Sequence, residues 1–272
     1  MTGPANVAHV VSTSNDPALD PFRQLKDATQ RRRGNFIVES ERVLERLIEL
    51  GITIEAVLVT PSRWDRVSAT VTAAHGAHGP PAVIVADPAV VDATIGFALH
   101  RGIVAIARRP PTLEPSVTLA SARRIVVLED VVDPDNVGSV FRHAAAFGAD
   151  LVVLSEHAGD PLYRKAVRTS MGWVFDVPWT RVAKAQELIP TMHRAGFTTI
   201  ALTPAGEVGI DDACLPRSSD ARVALLLGSE SDGLRNATLE AASHRVRIPI
   251  ASHVDSLNVA TAAAIALFTL FR

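Results

Sequence analysis

One cysteine, Cys214, stands in a chain of 272 residues. It has no intramolecular partner, so a disulfide framework is excluded and a reducing, cytoplasmic setting is expected. A lone cysteine more often packs as a small core hydrophobe than acts as a nucleophile. Aromatic residues are scarce, at 5% with a single tyrosine, so the 47% apolar content rests mainly on Ala, Val, Leu and Ile. Such side chains suit helices packed over buried parallel strands. The nine histidines are scattered, and no Cys/His cluster has zinc-ligand spacing, so no metal is expected. Charge of one sign is also lacking: 27 Lys and Arg oppose 29 Asp and Glu, for a formal net charge of −2. No global field attracts a polyanion, and any nucleic-acid contact must come from local patches. The N-terminus has neither the basic start nor the apolar run of a signal peptide. The most apolar stretch, Leu257 to Phe271, is interrupted by Asn258, Thr261 and Thr269. It is shorter than the roughly 20 residues a membrane span requires, so it is expected to be a buried helix, with no membrane association.

Three common signatures are missing as well. No two glycines flank a single residue, which removes the G-x-G turn of a dinucleotide fold. Gly228 and Gly233 have the glycine spacing of a phosphate-binding loop, but Leu234 follows where Lys and then Ser or Thr are needed. The G-x-S-x-G nucleophile elbow is absent.

What is present is alternation. Residues 1–20 are polar and aperiodic and are expected to be a flexible tail. Residues 21–108 form a first αβ pattern, with strands at 36–38, 54–59, 82–85 and 103–107 and helices at 40–50 and 88–95. Residues 109–122 hold Pro110, Pro111 and Pro115 and are expected to be a linker. Residues 123–272 alternate more clearly. Strands are expected at 124–128, 151–154, 198–202, 223–227 and 246–250, and helices at 137–147, 162–171, 183–195, 234–243 and 257–271. Gly148 and Gly196 sit at C-cap positions. The fold class is therefore α/β, a mostly parallel sheet with helices on both faces, preceded by a smaller α/β domain. Ligands of such sheets bind at the loops after the strand C-termini.

Three segments lie at such strand ends. The first runs Asp133-Pro134-Asp135-Asn136-Val137-Gly138-Ser139-Val140-Phe141-Arg142. Asn136 is a natural N-cap for the following helix, and Arg142 by itself reads as a surface ion pair or a functional group. The second is Gly228-Ser229-Glu230-Ser231-Asp232-Gly233, a glycine turn carrying an acid, where Ser231 or Asp232 could cap the next helix. The third runs from Ile248 to Asn258, where Ser256 could be a cap and the Asn258 amide, at the start of an apolar helix, needs partners. Arg23, Lys26 and Arg31-Arg32-Arg33 form one basic patch, and Arg164, Lys165 and Arg168 another.

Together these segments resemble the three motifs of the SpoU (TrmH-like) 2′-O-ribose RNA methyltransferases of the SPOUT superfamily, over about residues 123–272. Gly34-Asn35-Phe36-Ile37-Val38-Glu39-Ser40 is similar to the ribosomal-protein-like substrate-binding domain that often precedes this catalytic domain, with Ser40 where the family usually has Gly. The resemblance implies an S-adenosylmethionine-dependent enzyme acting on ribosomal or transfer RNA, a C-terminal trefoil knot, and a homodimer with the last helix and neighbouring loops at its interface. It implies catalytic roles for Asn136, Arg142, Glu230, Ser256 and Asn258. It implies cofactor contacts at Leu202, Thr203, Gly228, Ile248, Ile250, Leu257 and Asn258, and it adds RNA contacts at Arg31, Arg32, Arg33 and Arg142. Two alternatives stand beside it: a base methyltransferase of the same superfamily, and a non-catalytic RNA-binding protein that keeps the fold. The complete motif set argues against the second. Where the methyl group is found, on sugar or on base, separates the first. Replacing Arg31, Arg32 and Arg33 together is expected to weaken RNA binding and to lower the slope of log K against log salt by about one for each phosphate left unneutralised. A salt titration of affinity checks this.

Overall fold

A computed structural model describes residues 8–271, apart from residues 24, 75–78, 97, 98, 100, 213 and 217–219. The chain divides into two compact units. The first takes in the residues up to Pro110 together with Leu162–Gly172, and the second takes in Pro111–Pro161 and Trp173–Arg272.

In chain order the first unit contains β1 (His9–Val11), α1 (Asp27–Arg32), β2 (Asn35–Val38), α2 (Glu41–Glu49), β3 (Ile54–Val59), α3 (Pro61–Ala73), β4 (Ala82–Ala86), α4 (Pro88–Ile95) and β5 (Ile103–Arg108). Its five-stranded sheet has the order β1-β4-β3-β5-β2. β4 runs parallel to β1 and β3, and β5 runs antiparallel to β3 and β2. Amphipathic spacing makes α2: Val43, Leu44 and Leu47 fall on one face and are buried.

The expected flexible tail is corrected from residue 8 onward; Met1 to Val7 lie outside the described residues. β1 adds a parallel strand to the sheet, with His9 opposite Ile84 and Val11 opposite Ala86. A 3₁₀ turn follows over Pro17–Phe22, where the Asp16 carboxylate accepts from the Ala18 N–H. Leu19 and Phe22 are fully buried in the unit's core. These two side chains supply the apolar burial that the polar composition around them conceals.

The second unit contains α5 (Pro115–Ser121), inside the stretch expected to be linker. It continues with β6 (Arg124–Leu128), α6 (Pro134–Ala146) and β7 (Leu151–Ser155). The chain then contributes α7 (Arg164–Thr169) to the first unit. This differs from the expected assignment of 162–171 to the second domain, for a clear reason: the Arg164 N–H donates to Asp27 and its guanidinium to Glu39, at 3.0 and 2.6 Å. The second unit resumes with β8 (Trp179–Val182), α8 (Ala185–Arg194), β9 (Thr198–Leu202), β10 (Val208–Gly209), β11 (Val223–Leu227), α9 (Asn236–Ala241), β12 (His244–Arg247) and α10 (Val259–Leu270).

Its seven-stranded sheet has the order β10-β12-β9-β11-β6-β7-β8, and every neighbouring pair is parallel. β6, β7 and β11 are almost wholly buried, as expected of strands covered on both faces. Arg222 braces one end, donating to the carbonyls of Leu119, Ala120 and Ala122 at the C-terminal end of α5 and of Ala195 after α8. β12 ends at Arg247, three residues earlier than expected, which frees Ile248 to Ile250 to enter a loop. Cys214 is exposed, not a core hydrophobe, because it lies in a turn where its N–H is held by the Asp212 carboxylate. No helix among the described residues is long and apolar enough to cross a membrane. Phe22→Ala is expected to destabilise the first unit by about 3–5 kcal/mol, the usual cost of emptying a fully buried aromatic position. Urea unfolding of both proteins measures it.

Candidate functional site

The C-terminal ends of β12, β9, β11 and β6 lie side by side in the sheet, and the loops that leave β9, β11 and β12 frame a cavity of about 550 Å³. That volume lies within the range of small-molecule sites. Leu202, Thr203, Gly228, Ile248, Ile250, Leu257 and Asn258 all line it, with Glu230 and Ser256. Pro204, Leu234, Asn236 and Leu239 line it too, and none of these four is marked as a site residue by the sequence. The wall combines apolar side chains with loop backbone, a lining that suits a flat, partly polar ligand. Gly228 is required by close approach: a Cβ there would stand 2.1 Å from the Gly233 carbonyl carbon. The loop closes on itself through Ser229 and Gly233, whose backbones exchange two hydrogen bonds of 3.1 Å.

One side-chain relay joins the three segments. Asn258 is the N-cap of α10, and its Oδ1 accepts from the N–H groups of Ala260 and Thr261 at 2.9 and 3.2 Å. Its Nδ2 is thereby turned outward and donates to Asn136 Oδ1 at 2.9 Å. Asn136 Nδ2 in turn donates to Glu230 Oε1 at 2.8 Å, and the Val132 N–H reaches Glu230 Oε2 at 3.4 Å. Three cap assignments are corrected here. Asp133 caps α6 by accepting from the Asp135 N–H, which leaves the nearly buried Asn136 inside the helix and free to bridge. Asn258 caps α10 in place of Ser256. It is itself exposed, so its partners follow from geometry rather than from burial. α9 has no side-chain cap from Ser231 or Asp232; its N-cap is Arg235.

A second cluster lies beside the relay. Glu129 is 2% exposed and accepts from the Arg235 N–H at 2.9 Å and from the Thr238 hydroxyl at 2.7 Å. Asp130 has the left-handed backbone angle φ 57°. Its carboxylate accepts from Ser155 at 2.7 Å and from Arg235 Nε and Nη2 at 3.1 and 2.5 Å. Burial alone would raise the Asp130 pKa, but the hydrogen bonds from Ser155 and Arg235, with the charges of Arg235 and His157, bring it below the usual carboxylate value. The sequence signal for this cluster is an acidic pair directly after a buried strand.

Arg142 is not brought to this cavity. It lies about 9 Å along α6 from Asn136, at the usual helical rise, and is exposed, with no hydrogen bond or ion pair among the described residues. Burial, and secondarily the Arg142 charge, push the neighbouring His143 below the ordinary histidine pKa. Glu230 bonds Asn136 and not Arg142. The second basic patch is reduced by Arg164, whose charge is met by Glu39 and Asp27. Arg23 is similarly paired with Asp20.

Comparison with known proteins gives a consistent set. The model of the SpoU rRNA Methylase family matches residues 123–268. An uncharacterized tRNA/rRNA methyltransferase of Mycobacterium bovis is 39% identical over 95% of this chain and 90% of its own length. A 23S rRNA (guanosine-2′-O-)-methyltransferase of a Burkholderia species is 31% identical over 85% of this chain and 93% of its own. The crystal structure of an AdoMet-bound rRNA methyltransferase from Sinorhizobium meliloti superposes with a TM-score of 0.79, at 26% identity, over 97% of both chains.

Asn136→Asp tests the relay, because the isosteric carboxylate still accepts from Asn258 but faces Glu230 with a like charge. A destabilisation of about 1–3 kcal/mol is expected at pH 7. A pair of facing carboxylates raises the folded-state pKa of the shared proton. The deficit should therefore shrink as pH falls toward 5, when that proton binds. Urea unfolding at the two pH values provides the check.

Proposed function

Because the chain belongs to the SpoU rRNA methylase family, we propose that it transfers a methyl group from S-adenosylmethionine to a ribose 2′-hydroxyl of ribosomal or transfer RNA. The observation that carries this reading is the relay from Asn258 through Asn136 to Glu230, which ties together two of the loops that line the cavity through a side chain of the helix after β6. The 2′-hydroxyl is favoured over a base by the Burkholderia relative, whose name specifies that position.

The cavity fits the cofactor. Its volume and its mixture of leucine and isoleucine side chains with loop backbone suit an adenosine, and its rim carries Glu230 and Asp232. Leu202, Thr203, Gly228, Ile248, Ile250, Leu257 and Asn258 would hold it. When bound, S-adenosylmethionine supplies an activated methyl group on a sulfonium, so the difficult chemistry is the cofactor's. The chain's part is alignment and charge, and alignment can contribute several orders of magnitude. Asn136 and Asn258 fix the loops, and Glu230 serves as the acceptor at the end of the relay. Ser256, at the cavity wall with no cap to serve, is available to the incoming ribose.

Arg142 is assigned to the RNA. A guanidinium stays protonated under all ordinary conditions, so it does not act as a base. Exposed and without an ion pair among the described residues, it suits a bidentate grip on the target phosphate that also orients the 2′-hydroxyl. The first unit contributes affinity through Arg31, Arg32 and Arg33 at the end of α1. A homodimer in the cytoplasm completes the reading. Its support is on α10, where Ala260, Ala263, Ala266 and Leu267 are buried inside the unit while Ile265 and Phe268 are 36% and 47% exposed. Exposed apolar side chains of this kind on a helix face are a feature of protein contacts. The trefoil knot is proposed for the residues after β9. It is supported by β12 entering the sheet between β9 and β10, both earlier in the chain.

Calorimetric titration should give S-adenosylmethionine binding without added metal. In single-turnover transfer to substrate RNA, Arg142→Ala should lose most of the rate while cofactor binding persists. Arg142→Lys should fail as well, since lysine keeps the charge but not the two-pronged donor. A near-wild-type rate for Arg142→Ala would overturn the assignment.

A further inference from the structure

Arg235 does not line the cavity, yet the residues on either side of it, Leu234 and Asn236, do. Its position is held from two directions. The backbone N–H is bonded to Glu129, and the guanidinium grips Asp130. Both acids follow directly on β6 and lead into the segment that carries Asn136. Asp130 is bound in its turn to Ser155 at the end of β7, through its N–H at 2.8 Å and its Oδ1 at 2.7 Å. The glycine loop is therefore anchored at two points, at Glu230 by the relay and at Arg235 by this acid pair.

Stability alone is a poor account of the Asp130–Arg235 contact. The Arg235 side chain is 47% exposed, and ion pairs open to water contribute little. Asp130 also holds a left-handed backbone conformation, which disfavours any residue with a Cβ. Non-glycine residues in that region, when fixed by surrounding bonds, gather at functional sites. Here the bonds that fix it run to the element that sets one wall of the cavity.

We propose that Asp130 and Arg235 form a positioning latch for the cofactor cavity, setting where Leu234 and Asn236 stand in its wall. The proposal rests on the reading that this cavity holds S-adenosylmethionine. It makes Asp130, Arg235 and, behind them, Ser155 determinants of cofactor affinity although none of the three lines the cavity.

The decisive variant is Asp130→Gly. Glycine adopts the left-handed conformation freely, so this change removes the carboxylate and eases the backbone at once. The eased backbone offsets part of the lost bonds to Ser155 and Arg235, so unfolding midpoints should fall only slightly, while the dissociation constant for S-adenosylmethionine should increase about five- to tenfold, the scale of one ordinary net hydrogen bond. Arg235→Ala should match it, and Arg235→Lys should lie between, since lysine keeps the charge without the fork. At saturating cofactor the transfer rate should change by less than about twofold, because the latch acts on binding rather than on the aligned complex. Arg123→Ala, which breaks the exposed pair with Asp220, serves as the control and should change nothing. Affinity that stays constant in Asp130→Gly and Arg235→Ala, or falls only in step with stability, overturns the latch. If wild-type protein bound no S-adenosylmethionine, the reading of the cavity would fail, and the latch would be decided by amide hydrogen exchange. Exchange across residues 229–236 of the free protein must quicken in both variants, and unchanged exchange overturns it.

Discussion

The direction of one hydrogen-bond chain governs the second unit's working end. An amide side chain has one accepting and one donating side, and which way it faces is ordinarily ambiguous. At Asn258 the ambiguity is removed by helix α10, whose first free N–H groups claim the oxygen. The nitrogen must then donate, so Asn136 must accept and its own nitrogen must point at an acceptor. A group with an acceptor must stand there, and the Glu230 carboxylate does. The residue types at three distant positions are thus not independent choices. A helix terminus orients the first, and each orients the next.

The sheet makes this possible at low cost. Parallel strands deliver every C-terminus to the same edge, so β6, β9, β11 and β12 bring their loops together without any loop having to travel far. β6 and β11 beneath are buried and nearly all apolar, which leaves polar chemistry to the loops. That edge also carries unusual backbone, with Asp130 at φ 57° and the Gly228 and Gly233 backbones in close approach.

Much of this is legible from periodicity. The segments expected as strands at 124–128, 198–202 and 223–227 are strands with those boundaries, and Gly148 and Gly196 end helices with φ of 71° and 82°. What escapes the sequence does so for physical reasons. β8 buries only Thr180 fully, so a strand at the sheet edge has no apolar signature. β10 has two residues. Leu19 and Phe22 are isolated hydrophobes among polar neighbours, and a 3₁₀ turn has no period long enough to reveal them. Asn136 reads as a cap because Asn prefers that position. Asp133, three residues earlier, satisfies the helix first and releases Asn136 for the longer reach. Arg142 shows the converse: its motif position is plain, and nothing in the pattern indicates that it faces solvent with no partner among the described residues. The Asp130 and Arg235 pair is separated by more than a hundred residues, a distance over which no local rule operates.

The discontinuity of the first unit bears on how the chain is made. α7 lies past residue 160 in sequence but belongs with β2 and α2. A ribosome that has released Pro110 has released all five strands of the first sheet and still not the whole unit. Arg164, which neutralises Asp27 and Glu39, emerges only after β6, α6 and β7 of the other unit. Domains generally fold as units, in order from the N-terminus, during synthesis. Here that order is interleaved: Asp27 and Glu39 are synthesised well before Arg164, with β6, α6 and β7 of the other unit in between. The first unit is finished by a piece of chain that translation delivers from within the second.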